Sequence, residues 1–192
     1  MDPELDLIIR AKKGERVAFD SLVEIHKEKA FALAYHFTGN PEDAKDLSQE
    51  AFVRAFVGMR DFRGDSGFYT WFYRILVNLC RDFLRRRKSR SKVFMERGRS
   101  WIGEDTEDMP EPVDSTPDPS EAVLDDETRQ LISEALDKLP ERQKTVFVLR
   151  HLHGMKLSEI AEVVGCSEAT AKVHLFRATR GLRCQLKKSL SI

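Results

Sequence analysis

The chain has 192 residues, of which 41% are hydrophobic and 33% charged, enough for one large globular domain or two small ones. No apolar run approaches the roughly 18 residues needed to cross a bilayer, so no direct membrane insertion is expected. The opening Met1-Asp2-Pro3-Glu4-Leu5-Asp6 lacks the basic and apolar regions of a signal peptide, and three widely spaced cysteines (Cys80, Cys166, Cys184) point to reduced thiols in the cytoplasm rather than a disulfide framework.

The formal net charge of zero conceals a strong segregation. Residues 1–73 carry net −3, residues 74–99 net +8, residues 100–127 net −11 and residues 128–192 net +6. A solvated helix face explains any single charge run. Two basic blocks, each ending a helical segment, favour two surfaces for a polyanion.

Taken in chain order, the elements read as helical. Asp2 and Pro3 can start a first helix that Gly14 ends. A second helix spans about Arg16 to Phe37, with Leu22, Val23, His26, Ala30, Leu33, Ala34 and Phe37 on one stripe. Thr38-Gly39-Asn40-Pro41 breaks it, and Asn40 as N-cap with Pro41 at the first helical position starts a third. Its stripe is Ala44, Leu47, Ala51 and Ala55, widened by Phe52 and Phe56. A polar loop over Arg60–Gly67 leads to a fourth helix striped by Phe68, Trp71, Phe72, Ile75, Leu76, Leu79 and Phe83. Residues 103–120 hold four of the seven prolines and almost nothing apolar, which predicts a flexible acidic linker. The expected domains are 1–95 and 122–192, joined by 96–121. An acidic chain between two basic blocks can also fold back on either and compete with DNA. The short run Val146–Leu149 is the one strand candidate, and it sits in a helical context opened by Pro140.

Leu157 to Ala178 carries the clearest pattern. Ser158 can cap a short helix holding Ile160, Ala161 and Val164; Gly165 supplies a tight turn; Ser167 can cap a second helix. Helix, short glycine turn, helix is the helix-turn-helix arrangement, whose second helix enters the DNA major groove. On that helix Ala171, Leu175, Ala178 and Leu182 form the inward stripe. The opposite face carries Ala169, Thr170, Val173, Phe176, Arg177 and Arg180, with Lys172 on the flank. Arginine forks to guanine and apolar groups meet a thymine methyl, so a base-reading face accounts for this mixture. A helical hairpin whose Val173 and Phe176 pack on the rest of the domain is the plainer alternative. Cys166, His174 and Cys184 lack the paired spacing of a zinc site, and no metal or cofactor is expected.

In the first half, Phe62-Arg63-Gly64-Asp65-Ser66 precedes an aromatic run, followed by Asn78, Arg81 and Arg85-Arg86-Arg87-Lys88. Aromatic rings stack on unpaired bases and arginines track phosphates. Phe68, Trp71 and Phe72 suit the core, whereas Tyr69, Tyr73 and Asn78 are less easily placed there. Asp46, Glu50, Asp61 and Asp65 could be imagined as a nuclease metal site, but their spacing does not demand one.

These segments resemble the extracytoplasmic-function (ECF) family of bacterial RNA polymerase sigma factors, sigma-E-like in type. Asp46-Leu47-Ser48-Gln49-Glu50-Ala51-Phe52, Phe62–Ser66, Phe68–Ile75 and Asn78 are similar to the family's second conserved region. Leu139-Pro140-Glu141-Arg142, Ile160-Ala161 and Thr170–Ala178 are similar to its fourth. The resemblance implies an all-α, two-domain protein that is not itself an enzyme. It would bind core RNA polymerase and promoter DNA and answer to an anti-sigma factor, in the cytoplasm and commonly in a stress response. Carried over, Asp46, Gln49 and Glu50 fall in polymerase binding. Phe62, Arg63, Gly64, Asp65 and Ser66 form the loop for a flipped −10 base. Tyr69, Tyr73, Arg74, Ile75, Asn78 and Arg81 lie on or beside the −10 helix. Ser167, Thr170, Lys172, Val173, Phe176, Arg177 and Arg180 fall in −35 recognition. Val173 stands where relatives often have Ser, and His174 where they often have Arg. Two rival readings are a helix-turn-helix regulator that is not a sigma subunit, which leaves residues 46–78 unexplained, and a metal-dependent nuclease.

Overall fold

The computed structural model describes residues 3–98 and 131–190, with side chains described to residues 89 and 187. Of the expected linker, 96–121, residues 96–98 continue a helix and the remainder lies outside the described residues. Among the described residues the secondary structure is entirely helical. Helix α1 spans Pro3–Lys12, α2 Arg16–Thr38 and α3 Pro41–Gly58. A 3-10 turn at Met59–Asp61 leads through a loop to α4, Phe68–Gly98. Residues 131–137 are the described part of α5. Helix α6 spans Glu141–His151, α7 Leu157–Val164 and α8 Glu168–Leu190. The Val146–Leu149 run lies within α6.

Local chemistry accounts for most of the boundaries. The Asn40 side chain accepts from the backbone N–H groups of Glu42 and Asp43 at 2.9 and 3.0 Å, with Pro41 behind it as the first helical residue. Ser167 caps α8, its Oγ accepting from Thr170 N at 3.2 Å. The start of α7 differs from expectation. The helix begins at Leu157, and the Glu159 carboxylate accepts from Lys156 N at 2.8 Å. Glutamate at the third helical position reaches back to the first donor, so Ser158 lies inside the helix rather than capping it.

The first helical domain packs α2 against α3 and lays α4 across both. Leu22, Leu33, Phe72, Leu76 and Val77 are fully buried among them, and the Phe52 and Phe72 rings stack at 4.5 Å. The inward positions of α2 follow the expected stripe, whereas on α4 the buried face is wider than expected and takes in Thr70, Tyr73, Val77 and Cys80. Phe56 departs from the expected α3 stripe: it is 46% exposed, touching Phe19 edge-on at 5.1 Å. It falls beside the fully buried Ala44–Ala51–Ala55 line.

The second domain encloses Val146, Val148, Leu149, Ile160, Val163 and Val164. These residues belong to the same continuous buried cluster as the core of the first domain, because α7 packs directly on α4 and α6 reaches α2. A smaller cluster of Ala135, Leu136 and Leu182 joins α5 to α8.

Candidate nucleic-acid interface

The turn between α7 and α8 is built by Gly165 at φ +70°, a left-handed conformation that side-chain-bearing residues rarely adopt. Its cap N–H bonds to Ala161 O, and Cys166 N bonds to the same carbonyl at 2.9 Å. Ala171 and Ala178 are fully buried and Leu182 nearly so, fixing the rotation of α8. That rotation leaves Lys172, Val173, Phe176, Arg177 and Arg180 exposed together. Phe176 is 67% exposed, too open for the hairpin alternative in which it packs inward. Thr170 is half-buried, its hydroxyl 2.8 Å from Ser167 Oγ. Lys172 pairs with Glu168 one turn away at 3.0 Å. His174 is half-buried beside the inward stripe, and its Nδ1 is buried without a hydrogen-bond partner.

The second candidate surface centres on the loop before α4. Residues 61–66, Trp71 and Arg74, with Glu162 of α7, line an open groove of about 530 Å³. Phe62 is anchored in the core, its ring 5.0 Å from Trp71, while Arg63, Gly64 and Asp65 are exposed and Ser66 is half-exposed. On α4, Arg74 and Asn78 are exposed and Ile75 is half-buried. Asn78 thus lies outside the core, as its sequence position suggested.

Tyr73 is a correction. It is fully buried, its ring tilted against Tyr69 at 4.0 Å, with its hydroxyl 3.2 Å from His153 Nδ1 and 3.4 Å from Lys29 O. Sequence periodicity leaves Tyr73 outside the core because the surface that covers it comes from residue 153, far along the chain. Desolvation holds the Tyr73 hydroxyl well above its ordinary titration range and raises half-buried Tyr69 as well. Arg81 is drawn into the same joint, ion-paired with Glu141 of α6.

On α3, Asp46, Gln49 and Glu50 are all exposed. Continuing the same helical face at spacings of three and four come Val53 and Val57, 59% and 74% exposed, with Phe56 beside them. Sequence reading misses these three: Val53 and Val57 lie outside the inward stripe, which was the available signal, whereas Phe56 reads as part of that stripe. Among the described residues no group of three His, Cys, Asp or Glu side chains is placed to hold a metal ion, so the carboxylates at 46, 50, 61 and 65 do not converge. No described helix is long and apolar enough to cross a membrane.

Fold and surfaces together define a class: an all-helical protein joining a helix-turn-helix unit to a four-helix unit with a long basic helix. The family model for sigma-70 region 2 matches residues 22–90, and that for sigma-70 region 4 matches residues 129–180. The ECF RNA polymerase sigma factor SigW of Bacillus subtilis (strain 168) is 34% identical over 184 residues, covering 94% of this chain and 95% of that protein. The ECF RNA polymerase sigma-E factor of Escherichia coli (strain K12) is 32% identical, covering 92% and 90%. A solved structure of CnrH in complex with the cytosolic domain of CnrY superposes with a TM-score of 0.69 at 27% identity, covering 97% of this chain and 99% of CnrH. The chain belongs to the ECF sigma factor family.

Proposed function

We propose that the chain binds core RNA polymerase through the exposed face of α3 and directs it to promoters whose −10 and −35 elements it reads with α4 and α8. Asp46, Gln49 and Glu50 would meet the polymerase, and Val53, Phe56 and Val57 would extend that contact with apolar area. The loop 62–66 would receive an unpaired base against Phe62 and Trp71, with Arg63 and Arg74 beside it and Asn78 and Ile75 further along α4. Val173, Phe176, Arg177 and Arg180 would enter the major groove, with Lys172 on the flank beside the phosphates. Tyr69, Tyr73 and Arg81 could take part only once the second domain leaves α4.

The chain would contribute no catalysis of its own, the polymerase supplying the chemistry, and it would work in the cytoplasm, at the nucleoid within the holoenzyme. The complex of CnrH with the cytosolic domain of CnrY supports control by a protein partner, here an anti-sigma factor. The sigma-E-like character favours a stress response. The observation that carries this reading is the occurrence in one chain, in order, of a region 2 match and a region 4 match whose α8 presents two arginines beside exposed Val173 and Phe176. The test is run-off transcription with core polymerase on a promoter pool, with start sites sequenced. Starts that share −10 and −35 elements are expected. DNA binding with no gain in specific initiation would favour a regulator that is not a sigma subunit.

A further inference from the structure

We infer that His153, in the turn between α6 and α7, is the pin of an acid-released clasp that holds the helix-turn-helix domain against α4. Its ring meets Tyr73 at 5.6 Å and His36 at 5.8 Å, both edge-on. Nδ1 stands 3.2 Å from the Tyr73 hydroxyl, which stands 3.4 Å from Lys29 O. Nε2 is buried and has no hydrogen-bond partner. Whichever nitrogen carries the hydrogen in the neutral ring, the imidazolium would hold an N–H at Nε2 as well as at Nδ1, and at Nε2 that hydrogen finds no acceptor.

His36 and Lys29, the charged groups acting on His153, work in the same direction as its burial. Helix α2 brings Lys29 and His36, α4 brings Tyr69 and Tyr73, and α6 brings Lys144, whose ammonium lies 5.7 Å over the Phe37 ring. The acids on this side are Glu159 of α7, which faces Tyr69 and accepts from Lys156 N, and Asp137 of α5, which pairs with Lys144 at 2.7 Å. Burial, then His36 and Lys29, push His153 down to about 4, and burial with Lys144 lowers His36 too. Above about pH 6.5 the imidazole is neutral whether the domains touch or separate, and the clasp is indifferent to pH. Between about 6.5 and 4 only the separated form takes up the proton, so the closed form loses ground by up to about tenfold per pH unit. Opening would uncover Tyr73, release Arg81 from Glu141 and lift Glu162 from the loop 61–66.

The inference leans on the proposed role of α4 only for its consequence; the clasp stands or falls separately. The test is small-angle X-ray scattering of the full-length chain at pH 7.5 and 5.5, with helicity followed by circular dichroism. The wild type is expected to be compact at pH 7.5 and to expand at pH 5.5, His153 alone shifting the closed-to-open ratio about tenfold. His153→Gln, which keeps a hydrogen-bonding group but cannot titrate, should stay compact at both values. His153→Arg, charged throughout, should be expanded at pH 7.5 with helicity retained. A wild type of unchanged dimensions at the two pH values would overturn the inference, and so would His153→Gln expanding as the wild type does. Should His153→Arg lose helicity, the glutamine variant decides alone.

Discussion

At the residue scale, the exposed side chains of α8 do different work because of where the helix places them. Arg177 projects from the exposed face and can fork to a guanine, so Arg177→Ala should cost about 1–3 kcal/mol and relax specificity at one base pair. Lys172 sits on the flank, paired with Glu168 at 3.0 Å, and from there it would reach a phosphate rather than a base edge. Lys172→Ala should weaken binding evenly across sequences and flatten the salt dependence. Competition binding against single-base variants at two salt concentrations separates the two, and equal loss of discrimination would refute the assignment. In the first domain, Asn78 is exposed on α4 rather than on the α3 face proposed for polymerase, so Asn78→Ala should leave polymerase affinity intact and slow open-complex formation. Permanganate footprinting on a double-stranded promoter measures that directly, and normal melting in the variant would count against it.

At the scale of elements, each candidate surface depends on a local device that sets helix direction. Gly165 holds the turn before α8, and a Cβ there would meet nothing within 4 Å. The cost of Gly165→Ala is therefore purely conformational, about 1–2 kcal/mol, and it falls on the angle between α7 and α8. Asn40 satisfies two backbone donors of α3, and Asn40→Ala should cost about 1 kcal/mol. Denaturant titration should find both variants destabilised by similar amounts, with only Gly165→Ala impairing DNA binding. The pairing of Glu159 with Lys156 N shows how a cap moves: a carboxylate three residues on captures the first donor and starts the helix earlier than Ser158 suggests.

At the scale of the whole molecule, the two domains share one buried cluster, and Lys144 spans the joint. Its side chain is 9% exposed, its ammonium bonded to Asp137 at 2.7 Å and lying over Phe37 of the other domain. A continuous core makes unfolding a joint event at pH 7.5. In a Trp101→Phe background, Trp71 fluorescence and far-UV helicity should melt at one midpoint. Ile160→Ala, at a fully buried α7 position, should remove about 2–5 kcal/mol and lower the midpoint by both measures, although Trp71 lies in the other domain. Two separated midpoints would mean independent cores.

What the sequence settles by itself is what neighbours in the chain decide. The period of Leu22, His26, Ala30 and Leu33 orients α2, Asn40-Pro41 starts α3, and Gly165-Ser167 with the Ala171–Ala178 stripe turns Val173, Phe176 and Arg177 outward. These depend on helical geometry and local hydrogen bonds, which act over a few residues. The family resemblance is legible for the same reason, since its motifs are contiguous runs. Phe56, Tyr73 and the continuity of the two cores were decided elsewhere. Phe56 stays 46% exposed although Phe19 of α2 meets it edge-on, and Tyr73 is buried where His153, 80 residues away, lands on it. Periodicity tells that a side chain has one face; which faces meet depends on the packing of distant segments, and that is carried only by the folded chain.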